Sequence, residues 1–469
     1  MHGPAISASP FYPPRVKPSA RPLRFPFNLT KLLGNNLEVI PEQAYREPLV
    51  IVPGPPRMAL ICDSELVKTL LLTRPADFPK GALQVEVLRP IFGNAMISSE
   101  GHDWRWQRGA AAPLFRHDEL LQYGPIISAA AEATVATWRA APPGRLHAIH
   151  DDMMRAAFQV ISKTMLAGGV DDMVHAIEKG HADYYRGANW WLVYILLGLP
   201  HWLPRPGGKA MRAHERRLRD TVADLVRTRR AGAADGNDLL ARMVRASDPE
   251  TGKSMPDELL VDNIVSFLMA GFDTTAFALS WTLYLIARSP EWEARMLEEI
   301  ERVVGSGPVT AAHVERLATV QQVLNESLRL FPTAPVIVRE IIEDIEFNGV
   351  SVPRGTIGLV PIYAIHRHRS YWNEPDRFDP SRFAPDNPSR PTRFQFMPFG
   401  AGPRICIGAA FAMIEATIMI ATFVRAARFE VSPDFDPQPT GRMFLVPGKG
   451  MPMRIAMREG THSVNHTPS

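Results

Sequence analysis

Cys406 lies inside the stretch FGAGPRICIG, running from Phe399 to Gly408, and each residue type there suits work beside a metal macrocycle. As a thiolate, Cys406 is a metal ligand. Gly400 and Gly402 permit turns and let backbone approach a flat cofactor, and amides near the sulfur would tune its electron donation through hydrogen bonds. Arg404 stands two residues from the sulfur, within reach of a carboxylate at a cofactor edge. The apolar run that follows reads as a buried helix whose N-terminus would stabilise negative charge on the thiolate. A lone cysteine beside a glycine-rich turn reads more readily as buried and inert.

Three other groupings carry chemistry. Residues 270 to 275 read AGFDTT and place Asp273 and Thr274 beside Gly271 inside a helical pattern, where glycine alone costs about 1 kcal/mol relative to alanine. Glu326 and Arg329, three apart in NESLRL, can face each other as an ion pair. Trp104 and Arg108, four apart, share one helical face and offer an indole donor with a guanidinium.

The elements that must position these groups are mostly helices. The clearest spans about 256 to 288, opened by Pro256 with Asp257 and Glu258 and closed by Ser289-Pro290. Further helices are expected over 290–303, 311–330 and 408–426, the last apolar on nearly every face. Leu49–Val52 and Met58–Ile61 flank a Pro-Gly-Pro-Pro turn and read as a hairpin. Strands cluster over 336–360, around Asn348-Gly349, and over 428–457. Between them, 366–405 lacks periodicity, as a segment serving a site does.

Composition narrows the class. Hydrophobic residues at 46% and charged residues at 22% suit a globular chain with a large core. The net charge of +3 gives no argument for a nucleic-acid partner. Two cysteines exclude a disulfide framework and fit the cytoplasm. The N-terminus lacks a signal pattern, and the most apolar stretch, Trp190–Leu203, is broken by Gly198 and Pro200 and is too short to span a bilayer. The organisation read from the chain is a proline-rich arm over 1–48, one catalytic domain over 49–457 and a tail over 458–469.

The stretch around Cys406 resembles the haem-binding signature FxxGxRxCxG of the cytochrome P-450 superfamily at all five specified positions, Phe399, Gly402, Arg404, Cys406 and Gly408. AGFDTT resembles the family's oxygen-activation motif, which implies that Asp273 relays protons and that Thr274 supplies the hydroxyl assisting oxygen activation. Glu326 and Arg329 match ExxR. Of two PxRF segments, the one with Arg382 fits the family layout better than the one with Arg377, which implies a Glu326–Arg329–Arg382 network holding the cysteine loop. Trp104 and Arg108 resemble WxxxR, and with Arg339 and Arg404 they are implied to bind haem propionates. By the same resemblance the fold is mainly α, a helical triangular prism with small β-sheets, and haem b (iron protoporphyrin IX) is the cofactor, with Cys406 as axial ligand.

The resemblance further implies monooxygenation of a lipophilic small molecule, such as a terpenoid, fatty acid or steroid-like compound, by O2. The pocket would draw on Leu83, Val87, Phe267, Ala270, Thr333, Ala334, Val336 and Phe444, with Trp190–Leu203 near the lid. Electrons would come from NAD(P)H through a reductase and a ferredoxin or flavodoxin, with Arg105, Arg116 and Arg393 as docking candidates. Cys62 is expected to pack as a small apolar residue. A haem-thiolate peroxygenase or isomerase would share the cysteine loop, as would a non-catalytic haem sensor; Asp273 and Thr274 rank monooxygenation above both.

Overall fold

The computed structural model describes residues 10–22, 29–54, 56–166, 206–232 and 238–459, with Trp190, Tyr194, Leu199, Leu203 and Pro204. The expected lid, Trp190–Leu203, otherwise lies outside the described residues. In chain order the elements that matter here are β1 (Leu49–Val52), β2 (Met58–Ile61), α1 (Ala82–Phe92), α2 (Gly101–Ala111), α3 (Ile149–Leu166), α4 (Gly208–Ala231) and α5 (Asp257–Ala287). They are followed by α6 (Pro290–Val304), α7 (Ala318–Leu330), β3 (Ile337–Ile341), β4 (Ile345–Phe347), β5 (Val350–Val352), β6 (Thr356–Val360), α8 (Ala409–Ala426), β7 (Ala427–Glu430) and β8 (Pro452–Met457). Helices dominate, and the sheets are small.

β1 and β2 form the expected hairpin, with Leu49 opposite Ile61 and Val52 opposite Met58. β6 joins β2 in parallel and β3 in antiparallel register, so the sheet runs β1-β2-β6-β3. Asn348 and Gly349 both have positive φ, 50° and 76°, the backbone that a two-residue hairpin turn between β4 and β5 demands. The N-terminal segment lies against this framework: the Val16 N–H donates to the Tyr363 hydroxyl at 3.0 Å, and Leu37, Ile40 and Tyr45 are buried in the core.

α5 is the axis of the molecule. Its 31 residues run unbroken through AGFDTT, with Pro256 as the residue before the helix rather than its first. The tolerance of Gly271 has a packing cause, because a Cβ there would come within 2.7 Å of Ile161 Cδ1 on α3. Among the described residues, α5 and α8 are long and apolar enough in composition to cross a membrane. Their most apolar windows are 72% and 67% buried inside the fold, which makes them core helices.

The continuous helix expected over 311–330 is two elements. A 3-10 turn covers Ala311–Arg316, Leu317 departs from helical geometry with ψ 60°, and α7 begins at Ala318. The break is stabilised from α6. Glu299, itself buried, accepts the Thr319 N–H at 2.9 Å and the Val320 N–H at 3.2 Å, donors that a continuous helix would have satisfied internally.

Candidate functional site

The loop carrying Cys406 is shaped by two glycines with positive φ, Gly400 and Gly402, both at 73°. At Gly402 a Cβ would fall 1.6 Å from the Leu71 carbonyl oxygen, so no other residue fits. The Cys406 N–H donates to the Phe399 carbonyl at 2.9 Å, which closes the loop, and α8 starts three residues after the cysteine, at Ala409. Cys406 is exposed by accessible surface, yet it lies deep enough among protein atoms for burial to raise its thiol pKa. Cys406 thus opens onto a recess between protein atoms. The Gly408 N–H and the Arg108 charge oppose the rise, both by favouring thiolate.

Beside this loop, cations converge. A cleft is lined by Phe78, Lys80, Glu100, Trp104, Arg339 and Arg404, with Arg105 at its rim. Arg404 lies over the Trp104 ring, 3.9 Å from its centroid, and Arg108 is 5.9 Å from the same ring. Arg404 also donates to the Ser99 carbonyl at 2.9 Å and pairs with Glu100. Arg339 is buried, and burial holds its pKa down to about 10 against the pull of Glu100, with Arg404 adding to the depression. Lys80 is pushed down to about 7, first by burial and then by Arg404, with Glu100 opposing and Arg339 adding. Arg339 and Arg404, with a partly charged Lys80, face the single carboxylate of Glu100 among the residues lining this cleft, which leaves it short of negative charge.

The Glu326–Arg329 pair lies at the back of the loop, with both side chains fully buried. Arg329 grips both Glu326 oxygens, at 2.7 and 2.8 Å, and donates to the carbonyls of His366, Pro375 and Arg377. Arg382 approaches Glu326 at 3.6 Å, whereas Arg377 turns to Glu374. His366 carries the network forward: the Met397 N–H donates to its Nε2 at 3.0 Å, so Nδ1 carries the proton and donates to the Arg329 carbonyl at 3.2 Å. Burial, reinforced by the Arg329 charge, pushes its pKa down to about 3.

On α5, Asp273 is fully buried, and the Thr274 hydroxyl donates to the Ala270 carbonyl at 2.7 Å, a back-bond that spares a helix interior an unsatisfied hydroxyl. Among the expected pocket residues, Phe267 stacks on Phe115 at 6.0 Å, Phe444 lies 6.1 Å from Phe277, and Thr333 is buried. The side chain of Leu83 is outside the described residues. Arg105, Arg116 and Arg393 are all exposed. Cys62 is buried, and its thiol donates to the Ala44 carbonyl.

Sequence reasoning missed Lys80, Glu100, His366, Asp262, Asn263 and Glu415. The last is fully enclosed on α8, hydrogen-bonded to Thr275 beside Thr274, and burial raises its carboxyl well above the usual range. No local pattern marks these residues, because each acts on a partner distant in sequence.

The family model of cytochrome P-450 matches residues 21–453. Curated relatives include cyclooctat-9-en-7-ol 5-monooxygenase of Streptomyces melanosporofaciens, 32% identical over 81% of each chain. Pentalenene oxygenase of Streptomyces avermitilis is 29% identical over 86% of this chain and 89% of its own. A cytokinin hydroxylase of Arabidopsis thaliana is 26% identical over 84% and 78%. The chain belongs to the cytochrome P-450 family of haem-thiolate monooxygenases. Its residues fit the family's haem. An accessible thiol within an enclosing loop suits an axial ligand, and buried Arg339 with half-buried Arg404 and Arg108 near Trp104 suits two propionates.

Proposed function

We propose that this enzyme inserts one oxygen atom from O2 into a terpenoid, fatty acid or steroid-like molecule in the cytoplasm, drawing electrons from NAD(P)H through an external reductase and a ferredoxin or flavodoxin. The observation that carries the reading is one set of residues: the Cys406 loop, shaped by Gly400 and by Gly402 against the Leu71 carbonyl, together with Asp273 buried at the middle of α5 beside Thr274. The names of the relatives favour cyclic terpenoids as the substrate class, since cyclooctat-9-en-7-ol and pentalenene appear in two of them. The sequence holds only one cysteine besides Cys406, too few for an iron-sulfur cluster, which supports an external electron source. Exposed Arg105, Arg116 and Arg393 are the positions we assign to docking that acidic carrier.

In this reading Cys406 binds iron as thiolate, helped by the Gly408 N–H and the start of α8. Haem, when bound, supplies the iron at which O2 is activated, and thiolate ligation favours O–O cleavage. Arg108, Arg339 and Arg404, with Trp104, hold the propionate edge. Phe399 ties the loop by accepting the Cys406 N–H. Asp273 brings protons inward from its buried position, and Thr274 presents the hydroxyl that passes them on, leaving its bond to Ala270 to do so.

The test is absorption of the dithionite-reduced protein under carbon monoxide, for wild type and Cys406→His. A strongly red-shifted Soret band that the substitution abolishes is expected; haem-reconstituted wild type without that band would refute thiolate ligation. With a turned-over substrate, Thr274→Ala is expected to consume NAD(P)H without matching product. Unchanged coupling would remove Thr274 from the mechanism.

A further inference from the structure

The N-terminal third of α5 carries two adjacent buried polar residues that the chemistry above does not use, Asp262 and Asn263. Both reach the segment that joins α1 to α2. Asp262 accepts the Asn94 N–H at 2.7 Å. Gly93, at φ +55°, makes room, because a Cβ there would lie 2.2 Å from each oxygen of the Asp262 carboxylate. Asn263 accepts the Met96 N–H through Oδ1 at 3.0 Å, and its Nδ2 donates to Gln107 Oε1 on α2 at 2.8 Å and to the Leu259 carbonyl at 2.9 Å. Gln107 Nε2 returns to the Asn94 carbonyl at 3.2 Å. Both peptide groups of Asn94 and the amide of Met96 are thus held by side chains.

Farther along, the same segment meets the cation cleft. The Ser99 carbonyl accepts from Arg404 at 2.9 Å and from Lys80 at 3.2 Å, and Glu100 pairs with Arg404. Residues 93–100 are therefore tied at one end to α5 and at the other to an arginine two residues from Cys406. Asp262 has a further partner, Arg219 on α4, whose side chain is 26% exposed while that of Asp262 is 2% exposed. This asymmetry gives the pair a direction. Movement of α4 can withdraw Arg219 into water cheaply, but it leaves the carboxylate buried with its charge uncompensated, the costly way to break such a pair.

We propose that Asp262 and Asn263 are positioning residues for the haem-edge cations, and that the Arg219–Asp262 pair couples the seating of α4 to the grip on the cofactor. With Arg219 docked, the carboxylate is balanced and the 93–96 turn is clamped. When Arg219 leaves, the carboxylate draws water or swings outward, Asn94 loses its acceptor, and the Ser99–Glu100 end that braces Arg404 loosens. α1, which ends at Phe92 and carries Val87, is anchored by the same turn, so the pocket wall shifts with it. The inference rests on the haem-binding reading.

The experiment uses haem-loaded full-length protein, wild type against Arg219→Met, with Arg219→Lys as the conservative variant. Amide hydrogen exchange is followed by mass spectrometry, and haem release by transfer to excess apomyoglobin. Arg219→Met is expected to speed exchange in peptides covering 93–100 by about tenfold and haem release several-fold, with exchange in α7 unchanged, and Arg219→Lys to restore most of both. Unchanged exchange over 93–100 overturns the coupling. So does exchange raised equally throughout the chain, which would make Arg219 a general stabiliser, and so does faster local exchange with unaltered haem release. If Arg219→Met does not accumulate folded, Arg219→Gln is measured by the same readouts and decides by the same outcomes. A wild-type protein without the red-shifted carbon monoxide band would instead sink the haem-thiolate reading, a failure separable from these because local exchange is read independently of the iron ligand.

Discussion

Replacing Glu326 with alanine tests the buried network behind the cysteine loop. The substitution removes both oxygens that Arg329 grips and the acceptor of the Asp379 N–H at 2.8 Å. Arg329 keeps its three carbonyl partners, but its charge is left uncompensated in a fully buried site, at a cost of about 3–5 kcal/mol. A stability of roughly 5–15 kcal/mol loses a large fraction, and the melting temperature should fall by roughly 6–10 °C, taking the low end of the shift per kcal/mol for large domains. Thermal unfolding followed by circular dichroism reads the loss, and the reduced carbon monoxide spectrum reads whether the loop still presents thiolate. The paired substitution Glu326→Leu with Arg329→Met sharpens the test. Apolar replacement of a buried ion pair is often harmless, but here it strips the carbonyls of His366, Pro375 and Arg377 of a donor, at about 1–3 kcal/mol each. The double variant should therefore be no more stable than the single one. A double variant as stable as wild type would refute the claim that Arg329 is anchored as much by carbonyls as by its carboxylate.

Gly402→Ala should abolish the thiolate–haem spectrum, since its Cβ would collide with the Leu71 carbonyl at 1.6 Å; Gly400→Ala, whose nearest contact is Ile337 at 3.5 Å, should cost only about 1–2 kcal/mol of left-handed strain. Comparable haem loading in the two would contradict that ranking. His366 makes stability pH-dependent. Its folded pKa of about 3 lies below the unfolded value of about 6.5, so the unfolded chain binds the extra proton between these limits. Stability from this site is complete above about pH 6.5 and falls by up to about 1.4 kcal/mol per unit as pH drops toward 3. Urea titrations between pH 4.5 and 6.5 should show His366→Gln with a shallower slope than wild type, and equal slopes would mean the imidazole is not held neutral.

The cysteine loop was legible because its requirements are local. Glycines that turn the backbone, an arginine two residues from the sulfur and an apolar helix behind it all lie within one short stretch. α5 was equally readable, since acidic residues at its start and Ser289-Pro290 at its end act within a turn, and Asn348-Gly349 specified a hairpin by backbone conformation alone. Tertiary structure decided where side chains meet across distance. The helical pattern over 311–330 is genuine, yet Glu299 on α6 supplies acceptors that let α7 start anew at Ala318. Two arginines matched one spacing, and only the chain's path brings Arg382 to Glu326 and turns Arg377 to Glu374. Gly271 looked like a weakness in its helix until Ile161 was seen packed against it. Lys80, Glu100, Asp262 and Asn263 carry no local signature, because an enclosed charge or amide is defined by partners that folding delivers, and those partners lie as far as 304 residues away in the chain.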